Sequence, residues 1–329
     1  MELAMRLVVD KFKVITDKKL KKPLRVVFVS DTHFGEHPLT AGKWNGNSTL
    51  KGLKKLGKID LILFGGDYVN SALVFKMRYP LKNFTDFLKA CAEIAPVIMI
   101  RGNHDLYLNN RATEEIYQKF GSIENVTLLD NAQMKFKGIE ITGFTPRHSS
   151  YDLIKHGKRS HKITMEDFDG AKFKFKKEDF NLIVTHSPYS LTNKRALREF
   201  PEVFENSDVV ISGHLHNGAF ASKNFEGLTR KSNNKSSKHL LRISIDKGIW
   251  LDPKTGFVAN HCRGAKLVGE EKIGRAILPS SKNYIEIDLR KEENRKKLVQ
   301  VTGKGIHKFS VIPLFPGRPS IVELVIDNE

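Results

Sequence analysis

The sequence predicts an α/β fold, and three observations carry the prediction. Short apolar runs rich in β-branched residues recur along the chain, each run stops abruptly at polar residues, and stretches with apolar residues at helical spacing lie between them. Runs of this kind read as strands buried on both faces. Strands alternating with helices stack as sheet and helix layers.

The runs come in a fixed order. Leu24 to Ser30 leads into Asp31 and His33; Leu61 to Phe64 leads into Gly65, Gly66 and Asp67; Val97 to Ile100 leads into Gly102, Asn103, His104 and Asp105. Leu182 to Thr185 leads into His186, and Val209 to Ser212 into Gly213, His214 and His216. Between them, Leu81, Phe84, Phe87, Leu88, Cys91 and Ile94 recur at three and four, which places them on one helix face, with Pro96 at the exit. Cys91 therefore reads as a core residue. A shorter helix follows, with Thr113 suited to its cap and Gly121 to its close. From Val126 to Phe144 the pattern becomes that of adjacent strands turning at Asp130 and Asn131. Lys172 to Lys177, KFKFKK, reads as an edge strand guarded by lysines. Residues 220–261, with TRKSNNKSSKH inside them, read as a mobile loop, and Tyr284 to Leu289 and Ser320 to Ile326 as late strands.

Composition bounds the partners. A chain of 329 residues fits one large domain. The 55 Lys and Arg against 37 Asp and Glu leave a net charge of +18, whose field attracts phosphorylated substrates, polyanions or anionic membrane surfaces. A solvated Lys-rich surface gives the same balance. Lys18, Lys19, Lys21 and Lys22 are candidates for contact with anionic lipid, or simply form a charged turn before a strand. No aromatic and basic interleaving of the kind that stacks on single strands is evident, so nucleic acid is allowed but unsupported. Cys91 and Cys262 are the only cysteines, far apart and without CxxC spacing, which supports neither a disulfide framework nor a zinc ribbon and makes a reducing cytoplasm the simplest setting. The N-terminus has no apolar run near the roughly 20 residues that cross a bilayer, so a cytoplasmic protein, at most peripheral at the membrane, is expected. Composition says nothing of the oligomeric state.

Chemistry enters where the runs end. Gly-Asn-His-Asp alone would be an ordinary turn. Five strand ends that each present metal-competent side chains change that reading, because loops at the carboxyl ends of strands in an open α/β sheet converge on one crevice. Asp31 and His33 are two apart, as are His214 and His216, so in extended backbone each pair reaches toward one side. A carboxylate between two cations can bridge them, a role that suits Asp67, and imidazole with carboxylate suits Mn, Fe, Co or Zn better than Ca. A two-metal site is built to assist displacement at phosphorus, so a phosphate ester is the natural substrate.

SDTH (Ser30 to His33), GGD (Gly65 to Asp67), GNHD (Gly102 to Asp105), THSP (Thr185 to Pro188) and GHLH (Gly213 to His216) together resemble the calcineurin-like metallophosphoesterases over residues 24–218. The resemblance implies a four-layered α/β/β/α sandwich of two mixed sheets, formed as a single domain over residues 1–329. Residues 24–218 would be its motif-bearing core, and residues 219–329 would add a basic insertion loop and the strands that complete the sandwich. It implies two divalent ions, Mn first among them, one held by Asp31, His33, Asp67 and His216 and the other by Asp67, Asn103, His186 and His214. A metal-bridging hydroxide would attack phosphorus while His104 donates a proton to the leaving oxygen or stabilises the transition state. Asp105 reads as orienting the His104 imidazole or as a helix cap.

Weaker candidates remain. Arg147 would clamp a phosphate oxygen. His148, His156 and His161 would lie in a lid, and His261 with Cys262 would be a metal pair lacking partners. Asn217 departs from the glycine frequent in relatives. A nuclease of the same family and a scaffold that keeps the fold without catalysis are the alternatives to a phosphodiesterase or phosphatase.

Overall fold

The computed structural model describes residues 7–34, 41–69, 78–106, 111–146, 173–187, 206–214, 248–250, 256–260, 284–291, 298–302 and 320–328. The first half runs β1 (Val8–Ile15), β2 (Leu24–Val29), α1 (Ala41–Lys55), β3 (Leu61–Phe64), α2 (Arg78–Ala92), β4 (Val97–Met99), α3 (Asn103–Leu106), α4 (Arg111–Gly121) and β5 (Val126–Leu128). After it come β6 (Ala132–Phe136), β7 (Ile139–Phe144), β8 (Phe180–Thr185), β9 (Val209–Ser212), β10 (Gly248–Trp250), β11 (Gly256–Asn260), β12 (Ile285–Asp288), β13 (Leu298–Thr302) and β14 (Ser320–Asp327).

These strands make two seven-stranded sheets, ordered β12-β1-β14-β2-β3-β4-β5 and β10-β11-β13-β9-β8-β7-β6. Both are mixed. In the first, β2 to β5 run parallel while β14 opposes β2; in the second, β7, β8, β9 and β13 run parallel while β6 opposes β7.

Burial explains why the apolar runs became central strands. Val26 and Phe28 of β2, Leu61 and Leu63 of β3 and Ile98 of β4 face Ile141 of β7, Leu182 and Val184 of β8 and Ile211 of β9 across the inter-sheet core. The alternate residues Val27, Val29, Ile62, Phe64, Val97 and Met99 meet Leu53 of α1, Phe84, Phe87, Leu88 and Cys91 of α2, and Tyr117 and Phe120 of α4. Cys91 is fully buried on the predicted helix face.

Several local expectations are corrected. Thr113 is not the cap of α4, which begins at Arg111; it lies inside the helix and is buried. Asp130 and Asn131 do not turn one hairpin. β5 ends the first sheet and β6 opens the second, so the chain crosses between sheets there, with Asn131 at φ 48°. Residues 173–176 form no strand; the Gln133 side chain accepts from the Lys174 N–H and donates to its carbonyl instead. β10 and β11 lie within the stretch read as one loop. Among the described residues no helix is long and apolar enough to cross a membrane.

Register brings the strand ends level. Val29 pairs with Phe64 and Phe64 with Met99, so the segments beginning at Ser30, Gly65 and Ile100 leave the first sheet side by side. Phe144 pairs with Thr185 and Thr185 with Ser212, which does the same for the second sheet.

Candidate metal centre

Pairing persists past the end of the first sheet. The N–H groups of Asp31, His33 and Phe34 donate to the carbonyls of Gly66, Asp67 and Tyr68 at 2.9 to 3.0 Å, and Thr32 Oγ1 donates to the Tyr68 carbonyl. The backbone that does this is left-handed rather than extended. Asp31, His33, Asp67 and His214 have φ of 53°, 40°, 55° and 71°. Such values are uncommon outside glycine and persist where the surroundings over-determine them, which is frequent at functional sites. The expectation of extended pairs is therefore corrected for Asp31 and His33: a left-handed bend at each aims the side chain.

The side chains meet in the cleft between the two sheet ends. Asp67 Oδ2 lies 3.1 Å from His186 Nε2 and 3.5 Å from His33 Nε2, while Oδ1 accepts from the His104 N–H at 2.9 Å. His186 Nε2 is also 3.0 Å from Asn103 Oδ1 and 3.1 Å from His214 Nδ1. Its other ring nitrogen donates to the Gly65 carbonyl at 2.7 Å, which holds the ring from its far side. Both Asp31 oxygens accept from the His214 N–H at 3.1 Å. The His104 ring stands edge-on to His33 with centroids 4.7 Å apart.

Among the described residues two ligand groups emerge, each within 4.8 Å: His33, Asp67 and His104, and Asp67, His186 and His214. Asp67 belongs to both. The donor set is imidazole and carboxylate, buried at His33, Asp67 and His186 and half-buried at His104 and His214, which fits borderline divalent transition ions. Electrostatics agree with a cation-seeking centre. Burial works against the charged form of Asp67, yet His186, His104 and His33 hold its carboxyl well below the usual range. Burial likewise opposes charge on His186, but Asp67 and Asp31 raise it to about 9. A cation can take the place of that proton.

Glycines permit the close approach. A Cβ on Gly102 would stand 2.2 Å from Asp67 Oδ1, and one on Gly213 would stand 2.5 Å from Asp31 Oδ2. Only the bare backbone clears these carboxylates.

Asp105 sits elsewhere than expected. Its Oδ2 accepts from the N–H groups of Asp67 at 2.7 Å and Gly102 at 2.8 Å, and its Oδ1 from Tyr68 N–H at 3.0 Å. The carboxylate thus engages backbone of two loops rather than an imidazole, and burial together with Asp67 pushes it up to about 7. Asp130, read from the sequence only as a turn residue, accepts from the Arg101 N–H and side chain and, at 2.7 Å, from the Thr145 hydroxyl. It ties the loop carrying Asn103 to the end of β7. His216, Arg147, His148, His156, His161, Asn217, His261 and Cys262 lie outside the described residues.

The profile of the calcineurin-like phosphoesterase family matches residues 24–218. No curated protein matches the chain. Solved structures to which the chain is similar include a candidate 5′-nucleotidase from Staphylococcus aureus in complex with alpha-ketoglutarate, 13% identical, TM-score 0.39, covering 59% of this chain and 46% of that one. Another is the NAD nucleotidase of Haemophilus influenzae, 13% identical, TM-score 0.38, with 71% and 44% covered. A third is the nuclease MPE of Pseudomonas putida, 13% identical, TM-score 0.28, with 58% and 62% covered. The chain spans less than half the length of the first two.

Proposed function

Because the chain belongs to the calcineurin-like phosphoesterase family, we propose that it is a metal-dependent phosphoric ester hydrolase working with two divalent ions, Mn²⁺ first among them. One observation carries the reading: Asp67 is the shared member of two imidazole-bearing ligand groups. Asp31, His33, Asp67 and His216 are proposed to hold one ion, and Asp67, Asn103, His186 and His214 the other. Bound there, the ions would supply lowered water pKa and charge neutralisation at phosphorus, so that no covalent intermediate is needed.

The chain's own residues then divide the remaining work. Oδ1 of Asp67 is held by the His104 N–H, which leaves Oδ2 directed at His33 and His186. That same bond fixes the backbone of His104, the proposed proton donor to the leaving oxygen. His186 must give up a proton to serve as a ligand, and its Gly65 contact keeps the ring in place as it does so. Arg147 is proposed to clamp a phosphate oxygen. The net charge of +18 supports an anionic substrate, and the fully buried thiol of Cys91 is compatible with a reducing cytoplasm.

Metal analysis of the purified protein, followed by a Mn²⁺-supplemented screen of monoesters, diesters, nucleotide conjugates, phospholipid head groups and nucleic acids, tests this. Hydrolysis of at least one class, abolished by Asp67→Ala, is expected. A protein with no transition metal and no hydrolysis under added Mn²⁺ would be a scaffold, and the reading would fail.

A further inference from the structure

Asp105 is buried, acidic and one residue from the proposed proton donor, yet its oxygens point at neither an imidazole nor the cleft. Three backbone N–H groups engage them: Asp67 and Tyr68 from the loop after β3, and Gly102 from the loop after β4. In return, Asp67 of the first loop accepts from the His104 N–H of the second. The two loops thus exchange carboxylates. Each acid is held to the opposite loop by backbone amides, a geometry that sets one loop against the other in two directions.

We infer that Asp105 is a positioning residue that sets Asp67 and Asn103 for metal binding, acting through the backbone and not through His104. The inference rests on the metal reading above. Three features make the clasp necessary. Asp67 is held at φ 55°, a conformation a non-glycine residue keeps only under external constraint. The loops touch so closely that a Cβ on Gly66 would stand 2.3 Å from Gly102 N, so no side chain separates them and alignment falls to hydrogen bonds. Finally, Gly102 N–H and Asp67 N–H share one oxygen, Oδ2, so the residue before Asn103 and the bridging carboxylate are referred to a single atom. A fourth contact, Tyr68 hydroxyl to the Ile100 carbonyl, ties the same loops behind the clasp and keeps them packed if Asp105 changes.

The side-chain chemistry fixes the order of effects. Alanine leaves all three amides without an acceptor in a buried place. Asparagine keeps one oxygen, which can face Asp67 and Gly102 only by turning its NH₂ toward the Tyr68 N–H, donor against donor. Asp105→Ala should therefore be the more damaging of the two.

The test titrates chelator-stripped protein with Mn²⁺ by calorimetry and measures turnover of a chromogenic phosphodiester against Mn²⁺ concentration. Wild type, Asp105→Ala and Asp105→Asn are compared. The expected result is Mn²⁺ affinity about 10- to 100-fold weaker in Asp105→Ala, and weaker by a smaller factor in Asp105→Asn. The Mn²⁺ midpoint for turnover should move by the same factor, while kcat at saturating Mn²⁺ returns to within several-fold of wild type. Unchanged Mn²⁺ affinity with a depressed kcat at saturation would overturn the inference and assign Asp105 to His104. Unchanged affinity and unchanged kcat would make Asp105 a bystander. If Asp105→Ala does not fold, the result is read on Asp105→Asn, and failure of both to fold would confine Asp105 to folding. A wild-type protein that takes up no Mn²⁺ removes the metal reading itself, an outcome distinct from the others because it appears without any substitution.

Discussion

Buried or half-buried carboxylates sit at both ends of the paired sheets, and they differ in what faces them. At the carboxyl ends of the central strands, Asp67 faces three imidazoles, and neighbouring loops hold left-handed backbone. At the opposite end, Asp208 faces the Lys18 ammonium at 2.6 Å and accepts from Asn181 N–H, while Asp60 faces Lys137 at 2.8 Å and accepts from Arg25 N–H. Lysine keeps its charge near neutral pH, so such a pair is a staple. Imidazole can surrender its proton, so a carboxylate among histidines is available to a metal ion. The comparison teaches that the kind of cationic partner, and not burial, separates a carboxylate open to a metal ion from one held in a structural pair.

Substitutions at the two ends test that distinction, and the largest effect belongs to Asp67. Asp67→Ala should abolish both metal uptake and turnover, exceeding the about 10- to 100-fold typical of outer partners; inductively coupled plasma analysis and a chromogenic diester assay would show it. Retained metal with full activity would erase the contrast between the ends. His104→Gln should lower kcat by about 10²- to 10⁴-fold while leaving the metal content at the wild-type level. Loss of metal in that variant would move His104 from proton donor to ligand.

The next effect is a pH dependence. In the metal-free protein His186 is raised to about 9, so it carries a proton at neutral pH that a bound cation must displace. Mn²⁺ affinity measured by calorimetry should rise by up to about tenfold per unit between pH 7 and 9. A flat profile would show that no proton is exchanged. For the His186 contribution to apo stability the sign is opposite. It is fully present below the unfolded histidine pKa and is lost as pH rises through about 9.

Smaller effects belong to the far end. Burial outweighs the Lys18 attraction and leaves Asp208 above its ordinary pKa. Lys18→Ala should raise it further and cost about 1–3 kcal/mol by chemical denaturation, with kcat unchanged. The Lys137 side chain is 40% exposed, so Lys137→Ala should cost only about 0–1 kcal/mol. Burial opposes the charge on Asp60, but Lys137 and the Arg25 N–H prevail and lower it. That stability is present above the unfolded carboxyl pKa and fades as pH falls through the folded one, and Lys137→Ala should flatten this acid limb.

Much of the working end was legible in the sequence because its signals are local. Each central strand buries both faces, so the runs from Leu24, Leu61, Val97, Leu182 and Val209 stand out against polar loops, and parallel register brings their ends together. The edges were not legible, for physical reasons. β1 alternates Phe12 and Val14 toward the core with Lys11 and Lys13 outward, and its charges masked the period. α1 has Gly46 and Gly52 in its interior, where intrinsic propensity is poor, and is seated by tertiary contact: a Cβ at Gly46 would meet Phe34 at 3.1 Å, and Leu53 is fully buried. The direction of the Asp105 carboxylate was out of reach because two of the three N–H groups it accepts from lie 37 and 38 residues away, which no short motif encodes.

The central claim is that Asp67 serves two ions at once. Titrating the chelator-stripped chain with Mn²⁺ under electron paramagnetic resonance tests it most directly. The account predicts two equivalents bound per chain with the spectrum of an exchange-coupled pair, lost in Asp67→Ala. Uptake of a single ion with an uncoupled six-line spectrum, or of none, would contradict it.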